Sequence, residues 1–279
     1  MIRMALPNKG QLFEPTIELL KSCGYVARKD GRSLCCLDEA NGVEFYFLRP
    51  SDIPRYVGKG IIDAGITGLD FNAEAQGEGI PVLDLPYGAS RLCAAIPAGA
   101  DESWDAIPKL RIATSFPNIV KKFFGRDDLK LVVLEGAVEI SVALGVADAV
   151  VDIVETGTTL RMAGLKILGE PLFRSNAALF ANPAKKDDPA IARLVRRIEG
   201  RMVAMKYMMV EYDAPESVLE AACRLTPGIA SPTVSPLHKK GWFSVKSMIE
   251  KKGSNRTLDE LADLGCKGVV LTAIETARI

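Results

Sequence analysis

One histidine in 279 residues, no Cys-x-x-Cys pair and no surplus of either charge sign narrow the chemistry of this chain before any motif is read. The histidine, His238, lies in a proline-rich stretch and is given no role. With a single imidazole, no Ser–His or Cys–His nucleophilic pair is evident. The six cysteines (Cys23, Cys35, Cys36, Cys93, Cys223 and Cys266) are scattered, so reduced, mostly buried thiols are expected rather than disulfides or a zinc site. Lys plus Arg equals Asp plus Glu at 35 each, which recommends neither nucleic acid nor an anionic membrane as partner and leaves anion binding to local sites. No apolar run approaches the ~20 residues of a membrane span. Met1 to Pro7 reads as a short strand broken by proline rather than a signal peptide, and a cytoplasmic protein is expected. What is present is material for a core: 48% hydrophobic residues in a chain long enough for two or three domains, with a globular enzyme as the default expectation.

Against that background stands Ala149-Val150-Val151-Asp152-Ile153-Val154-Glu155-Thr156-Gly157-Thr158-Thr159-Leu160. Its apolar β-branched start suits a strand buried on both faces, and Thr-Gly-Thr-Thr before helix formers reads as a tight turn into a helix. Such a turn points several backbone N–H groups at one spot. It adds the hydroxyls of Thr156, Thr158 and Thr159 and sets a helix N-terminus behind them, making an anion site with phosphate the expected anion. Asp152 and Glu155, at the strand's carboxyl end, would accept hydrogen bonds from sugar hydroxyls but repel the phosphate itself. The combination therefore asks for a ribose 5-phosphate. An ordinary corner with Thr as helix cap is the alternative.

Earlier in the chain, Ile2 to Leu6 reads as a strand and Asn8-Lys9-Gly10 as a turn into a helix, with Pro15 in its first turn. Lys9 is a second candidate anion contact, a solvated turn lysine being the alternative. Asn41-Gly42 between Leu34–Leu37 and Val43–Leu48 signals a hairpin. Arg49-Pro50 closes its second strand and Ser51 is expected to cap the next helix. Arg49 then stands where a guanidinium can grip phosphate or stack on a base, or simply face water. Gly60-Ile61-Ile62-Asp63-Ala64 and Gly145-Val146-Ala147-Asp148-Ala149 both run through an apolar strand to a Thr-Gly turn. This weak internal repeat indicates two α/β lobes facing a shared cleft, with Asp70 facing it too. Arg111–Phe116, Leu131–Leu134 and Ala149–Val154 alternate with helical stretches and predict a parallel βαβ set. Thr114-Ser115 at a strand end is a further phosphate candidate.

Lys166 to Ala181 reads as a strand returning to the first lobe. Asp187-Asp188-Pro189 starts a long helix whose stripe Ile191, Leu194, Val195, Ile198, Met202, Met205 reads as core. After it the order is βαββαβ, the split-βαβ, ferredoxin-like arrangement, a module that senses a small ligand or serves dimerisation. The expected domains are a first lobe of residues 1–88 with 176–206, a second lobe of residues 89–175 carrying the ribose-phosphate loop, and a C-terminal module of residues 207–279.

In Ala5-Leu6-Pro7-Asn8-Lys9-Gly10, Phe47-Leu48-Arg49-Pro50, Gly65-Ile66-Thr67-Gly68, the signature Glu139 through Leu160 and Thr226-Pro227-Gly228-Ile229-Ala230-Ser231-Pro232-Thr233, the chain resembles the long-form ATP phosphoribosyltransferases over essentially its whole length. The resemblance implies a two-lobed, periplasmic-binding-protein-like catalytic core, a ferredoxin-like regulatory domain that binds histidine, Mg²⁺ dependence, and dimeric and hexameric assembly. The implied reaction joins N1 of ATP to C1 of phosphoribosyl pyrophosphate (PRPP) and releases pyrophosphate. Carried over by residue, Asp152, Glu155, Thr156, Gly157, Thr158 and Thr159 would hold PRPP, and Lys9, Arg49 and Asp70 would line the ATP side. Asp213, Ser231 and Thr233 are the expected histidine contacts; no catalytic base and no protein metal ligand is assigned. A salvage phosphoribosyltransferase and a non-enzymatic solute-binding protein stay open as alternatives.

Overall fold

A computed structural model describes residues 1–29, 31, 33–100, 110–125, 129–154 and 156–279. Contacts divide the chain into two compact units, residues 1–21 with 25–192 and residues 22–24 with 193–279. The first unit opens with β1 (Ile2–Pro7), α1 (Phe13–Ser22), β2 (Cys35–Asp38), β3 (Val43–Leu48), α2 (Ile53–Gly58), β4 (Ala64–Gly68), α3 (Leu69–Glu74) and β5 (Ile80–Asp84). It continues with β6 (Ser90–Pro97), β7 (Arg111–Thr114), α4 (Pro117–Phe124), β8 (Lys130–Val133), α5 (Ile140–Ala143), β9 (Ala149–Val154), α6 (Thr158–Met162), β10 (Leu165–Ser175) and β11 (Ala177–Ala181).

Two sheets result, ordered β2-β3-β1-β4-β11-β5 and β10-β6-β9-β7-β8, and they are the cores of two lobes. The returning strand material resolves into β10 on the second sheet and β11 on the first, so β11 is the chain's route back. The Asn41-Gly42 hairpin forms as expected: β2 pairs antiparallel with β3, and Gly42 takes φ 67, where a residue without Cβ carries no steric penalty. The second sheet is mixed rather than wholly parallel. β7, β8 and β9 run parallel, but β6 pairs antiparallel with both β9 and β10, because it enters from the other lobe with no crossover helix to reverse it.

The apolar run Ala149–Val154 is buried on both faces, as its composition required. Ala149 and Val151 join Leu92, Ala94, Ile96, Ile112 and Phe116 on one side. Val150 and Val154 join Cys93, Ala95, Ala113, Leu160 and Leu165 on the other.

The internal repeat has a physical counterpart. Asp63 accepts the backbone N–H of Arg3 at 2.8 Å, while its own N–H donates to the Arg3 carbonyl. Asp148 does the same for Arg111, accepting its N–H at 3.0 Å and its guanidinium at 2.7 and 3.1 Å. Each aspartate ties the start of its own strand to the start of the parallel neighbour. The Arg111 hydrogen bond holds the Asp148 carboxyl below the usual carboxylate range. Gly60 and Gly145, which open the two repeats, take φ 70 and φ 68.

Ser51 does not cap α2: Asp52 holds that place with no side-chain cap bond, and proline in the first turn supplies the start.

α7 (Pro189–Lys206) begins in the first unit and passes into the second at Arg193, leading into β12 (Tyr207–Pro215), α8 (Leu219–Leu225), β13 (Thr233–Pro236), β14 (Trp242–Glu250), α9 (Ser254–Asp263) and β15 (Lys267–Ala273). Ile191, Leu194 and Ile198 of the α7 stripe are buried, but Met205 is 49% exposed, so the stripe stops short of it. The sheet order is β13-β14-β12-β15, antiparallel throughout, the split-βαβ arrangement. Val210, Tyr212, Ala214, Val245 and Ile249 face Ala222 of α8 and Leu261 of α9. Tyr212 and Thr226 share a buried hydroxyl hydrogen bond of 2.7 Å, and burial pushes the phenol up to about 12.

Candidate functional site

The turn after β9 is open. Gly157 holds the N-cap position of α6 at φ 73 and has no side chain to cap it, so Thr is not the N-cap residue. α6 is only five residues long, too short for much of a macrodipole, so backbone N–H groups and hydroxyls must supply the attraction. Thr156, Thr158 and Thr159 are exposed. Thr156 and Thr158 share a hydroxyl contact of 3.1 Å, and Arg161 Nη2 donates to Thr158 Oγ1 at 3.3 Å. Ile153, Val154, Thr156, Gly157, Thr159 and Leu160 line a pocket of about 290 Å³ together with Gln11 from the first lobe. Glu155 lies outside the described residues.

A second cavity of about 160 Å³ adjoins, lined by Lys9, Gln11, Asp70, Ser90 and Ile153 among others. A third, about 760 Å³, takes Lys9, Arg49, Arg55 and Glu74 from the first lobe and Ser115, Asn118, Glu135, Asp152 and Ile153 from the second. Ile153 lines all three. Of the residues expected from sequence, Thr156, Gly157 and Thr159 line the first cavity, Asp70 the small one, Arg49 and Asp152 the large one, and Lys9 both of the latter, whereas Thr158 lines none of the three.

Both aspartates are tuned by burial. Asp70 is 4% exposed. Desolvation pushes its carboxyl above the usual range, against hydrogen bonds from the Phe71 N–H, Ser175 and Ser90. Desolvation does the same to Asp152, against the Ile153 N–H, and the charge of nearby Glu139 adds to it. Gln11, Arg55, Glu74 and Glu139 were not singled out in the sequence. Nothing in their local pattern marks them: Gln11, Arg55 and Glu74 meet second-lobe residues only through lobe pairing, and Glu139 comes near Asp152 only when the second lobe folds. Ser115 donates to the Leu134 carbonyl at 2.7 Å and lines the large compartment rather than the phosphate pocket. Between β8 and α5, Gly136 and Ala137 take φ 145 and φ 49, and the latter is an uncommon conformation for a residue with a Cβ.

In the C-terminal module, Asp213 of β12 pairs with Ser244, which pairs with Ser235 of β13. Thr233 sits opposite Lys246, two residues along. Asp213 and Thr233 therefore share the sheet face turned from the helices but lie two strands and two residues apart, roughly 12 Å. Ser231 is exposed, before β13 begins, with its hydroxyl toward the Pro232 carbonyl. Gly268, at φ +58, leaves room beside the Asp213 carboxylate, a Cβ there standing 3.7 Å from Oδ2.

A Thr-Gly-Thr-Thr turn on one lobe, a wall on the other that sets Lys9, Arg49 and Arg55 beside Asp52 and Glu74, and a C-terminal split-βαβ module are the parts of a phosphoribosyl-transferring class of two-lobed α/β enzyme. The chain belongs to the ATP phosphoribosyltransferase family. The family model described as HisG: ATP phosphoribosyltransferase matches residues 49–200, and the HisG C-terminal domain model matches residues 204–276. The ATP phosphoribosyltransferase of Salinibacter ruber is 44% identical over 283 residues, covering all of both chains. That of Rhodococcus erythropolis is 45% identical, over all of this chain and 99% of its own. Among solved structures, a chain of the ATP phosphoribosyl transferase (HisG:HisZ) complex from Thermotoga maritima superposes with a TM-score of 0.63 at 28% identity, covering 71% of this chain and 97% of that one.

Proposed function

We propose that this chain joins N1 of ATP to C1 of PRPP and releases pyrophosphate, opening histidine biosynthesis. The observation that carries this reading is the continuity of the cleft. Ile153 lines the phosphate pocket, the small compartment and the large one, so a ribose phosphate held by the Thr156–Thr159 turn presents C1 toward the space that a nucleotide fills. Asp152 then receives ribose hydroxyls, while Lys9, Arg49 and Arg55 offset polyphosphate charge. Asp70 bounds the adenine side. The transition state at C1 is oxocarbenium-like with a departing pyrophosphate, so positioning and charge stabilisation carry the rate and no protein nucleophile is required.

Mg²⁺ fits this donor set. Among the described residues no group of three or more acidic, His or Cys side chains gathers to hold a metal. Mg²⁺ needs only one or two carboxylates besides substrate phosphates and water, and Asp152 with nearby Glu139 would supply them. When bound, it offsets charge on the pyrophosphate. We assign residues 1–88 with 176–206 and 89–175 to the two catalytic lobes and residues 207–279 to a histidine-responsive module, in a homo-oligomer reaching dimers and hexamers. Among the described residues no helix is long and apolar enough to cross a membrane. The cytoplasm, where ATP and PRPP are made, is the proposed location.

Following pyrophosphate release from ATP, PRPP and Mg²⁺, with adenine and other free bases as rival acceptors and with or without histidine, tests the reading. Release with a free base but not with ATP overturns it. Two substitutions refine it. Thr159→Val keeps volume and β-branching but removes one hydroxyl from the pocket, so PRPP affinity falls by about 1–3 kcal/mol in a normally folded variant; unchanged PRPP binding removes Thr159 from the site. Asp213→Asn leaves uninhibited turnover near wild type and weakens histidine binding by about 2 kcal/mol through loss of a charge-assisted partner. Calorimetric titration checks it, and any effect of histidine on substrate affinity must be matched by substrate on histidine affinity. Undiminished histidine affinity moves the pocket elsewhere in the module.

A further inference from the structure

Helix α4 of the second lobe begins without a cap of its own. Phe116 occupies the N-cap position with no side-chain cap bond, and proline follows at the helix start. The N–H groups of Asn118 and Ile119 are the ones a Ser, Thr or Asp cap would ordinarily satisfy. Their partner comes from the other lobe: the carboxylate of Glu74, at the end of α3, accepts Asn118 N–H at 3.0 and 3.1 Å and Ile119 N–H at 3.1 Å. Asn118 Nδ2 returns a bond to the Glu74 carbonyl at 2.8 Å.

The same short helix carries Asp70 into the cleft and sets Phe71 against Phe116, ring centroids 5.9 Å apart. Phe71 and Ala73 also pack on the second lobe's core. The seam is thin. Glu74 and Asn118 line the 760 Å³ compartment on one side, and Asn118 and Ile119 border an open cavity of about 1050 Å³ on the other. The apolar contacts of Phe71 and Ala73 fix no register by themselves, so the directional part of this seam is the Glu74 cap, and separating the lobes would return both the carboxylate and the two N–H groups to water, where each finds a partner.

We propose that Glu74 is a positioning residue that caps α4 across the lobe boundary and so sets the spacing between the nucleotide wall carrying Arg49 and Asp70 and the ribose-phosphate turn. It touches no reacting atom; it acts by keeping the competent lobe arrangement populated. The proposal rests on the reading of this cleft as the site where ATP meets PRPP. ATP draws contacts from both lobes, whereas the PRPP phosphate sits mainly on the turn of the second. Losing the cap therefore taxes ATP binding in proportion to the lost competent fraction and leaves PRPP binding nearly alone.

Glu74→Ala and Glu74→Gln are compared in the full-length protein. In the alanine variant the Asn118 and Ile119 amides lose at least about tenfold of their hydrogen-exchange protection while β7 and β9 keep theirs. The KM for ATP rises about five- to tenfold with kcat within about twofold, and the Kd for PRPP stays within about twofold. The glutamine variant keeps an acceptor oxygen and recovers most of the ATP KM. Full amide protection with an unchanged ATP KM in the alanine variant overturns the proposal. So does a parallel loss of PRPP affinity, which marks Glu74 as generally structural. If the wild-type protein releases no pyrophosphate, the functional reading fails, while the amide exchange still decides whether the cap exists.

Discussion

Gly157→Val lowers PRPP affinity by about a hundredfold, close to the loss of one or two hydrogen bonds to a charged group. Gly157 stands at φ 73, ψ 10, where an L-residue costs roughly 1–2 kcal/mol and a β-branched one more. The space itself is adequate, since a Cβ there meets Ile167 Cδ1 at 3.5 Å and Val154 Cγ1 at 3.7 Å. The penalty is therefore conformational, and the turn relieves it by rotating the peptide that aims the Thr158 and Thr159 N–H groups. Gly164 provides the control. It follows the same helix at φ 72 with nothing near a Cβ, so Gly164→Val bears a similar backbone cost outside the pocket and alters stability without altering PRPP affinity. Equal PRPP binding by the two variants, measured calorimetrically, removes the turn from the phosphate site.

Acidification is expected to switch the enzyme off before it unfolds. Asp70 and Asp152 are both pushed above the usual carboxylate range, first of all by burial, and both are needed as acceptors. kcat/KM then falls about tenfold per pH unit once Asp152 protonates, and more steeply where Asp70 joins it. Their effect on stability has the opposite sign. A carboxyl whose folded pKa is raised contributes stability that is fully present below its unfolded pKa and is lost as pH rises through the folded pKa, because protonation relieves the burial cost. These two therefore do not drive acid unfolding. Asp148 does the reverse: held below the usual range by Arg111, it contributes stability that is lost as pH falls through that depressed value. Circular dichroism recorded beside the pH–rate profile separates the events. An acid limb that coincides with loss of structure, or that lies at the ordinary value of about 3.9 for an aspartate, is the contrary result.

Much of this was legible in the residues, and for local reasons. An unbroken β-branched run such as Val150-Val151 satisfies only a strand covered on both sides, Asn41-Gly42 permits only a tight reversal, and the strand and helix periods after Lys206 give βαββαβ without reference to anything distant. The strand, turn and helix from Ala149 to Met162 were legible too, because a β-branched run ending in Thr-Gly before helix formers permits few other courses. Gln11, Arg55 and Glu74 were not, since each meets second-lobe residues in the cleft only when segments far apart in sequence are brought together.

The two Gly-x-x-Asp-Ala repeats divide these determinants most sharply. Sequence alone fixes what they share: Asp63 and Asp148 each follow a glycine by three residues and precede an apolar strand, and each ties two parallel strands together. The Thr-Gly dipeptide that follows each is identical, and the dipeptide itself does not set its own conformation. In the first, Thr67 is fully buried and donates to the Pro50 carbonyl at 2.8 Å. Gly68 stays at φ −74, and a Cβ on it would collide with Asp70 Oδ1. In the second, Thr156 is exposed and Gly157 turns to φ 73, opening the amides of the next turn to the cleft. The same dipeptide is closed in one lobe and open in the other because α3, following the first, is packed against a second lobe's core, whereas the five-residue helix following the second leaves its N-terminus facing open space.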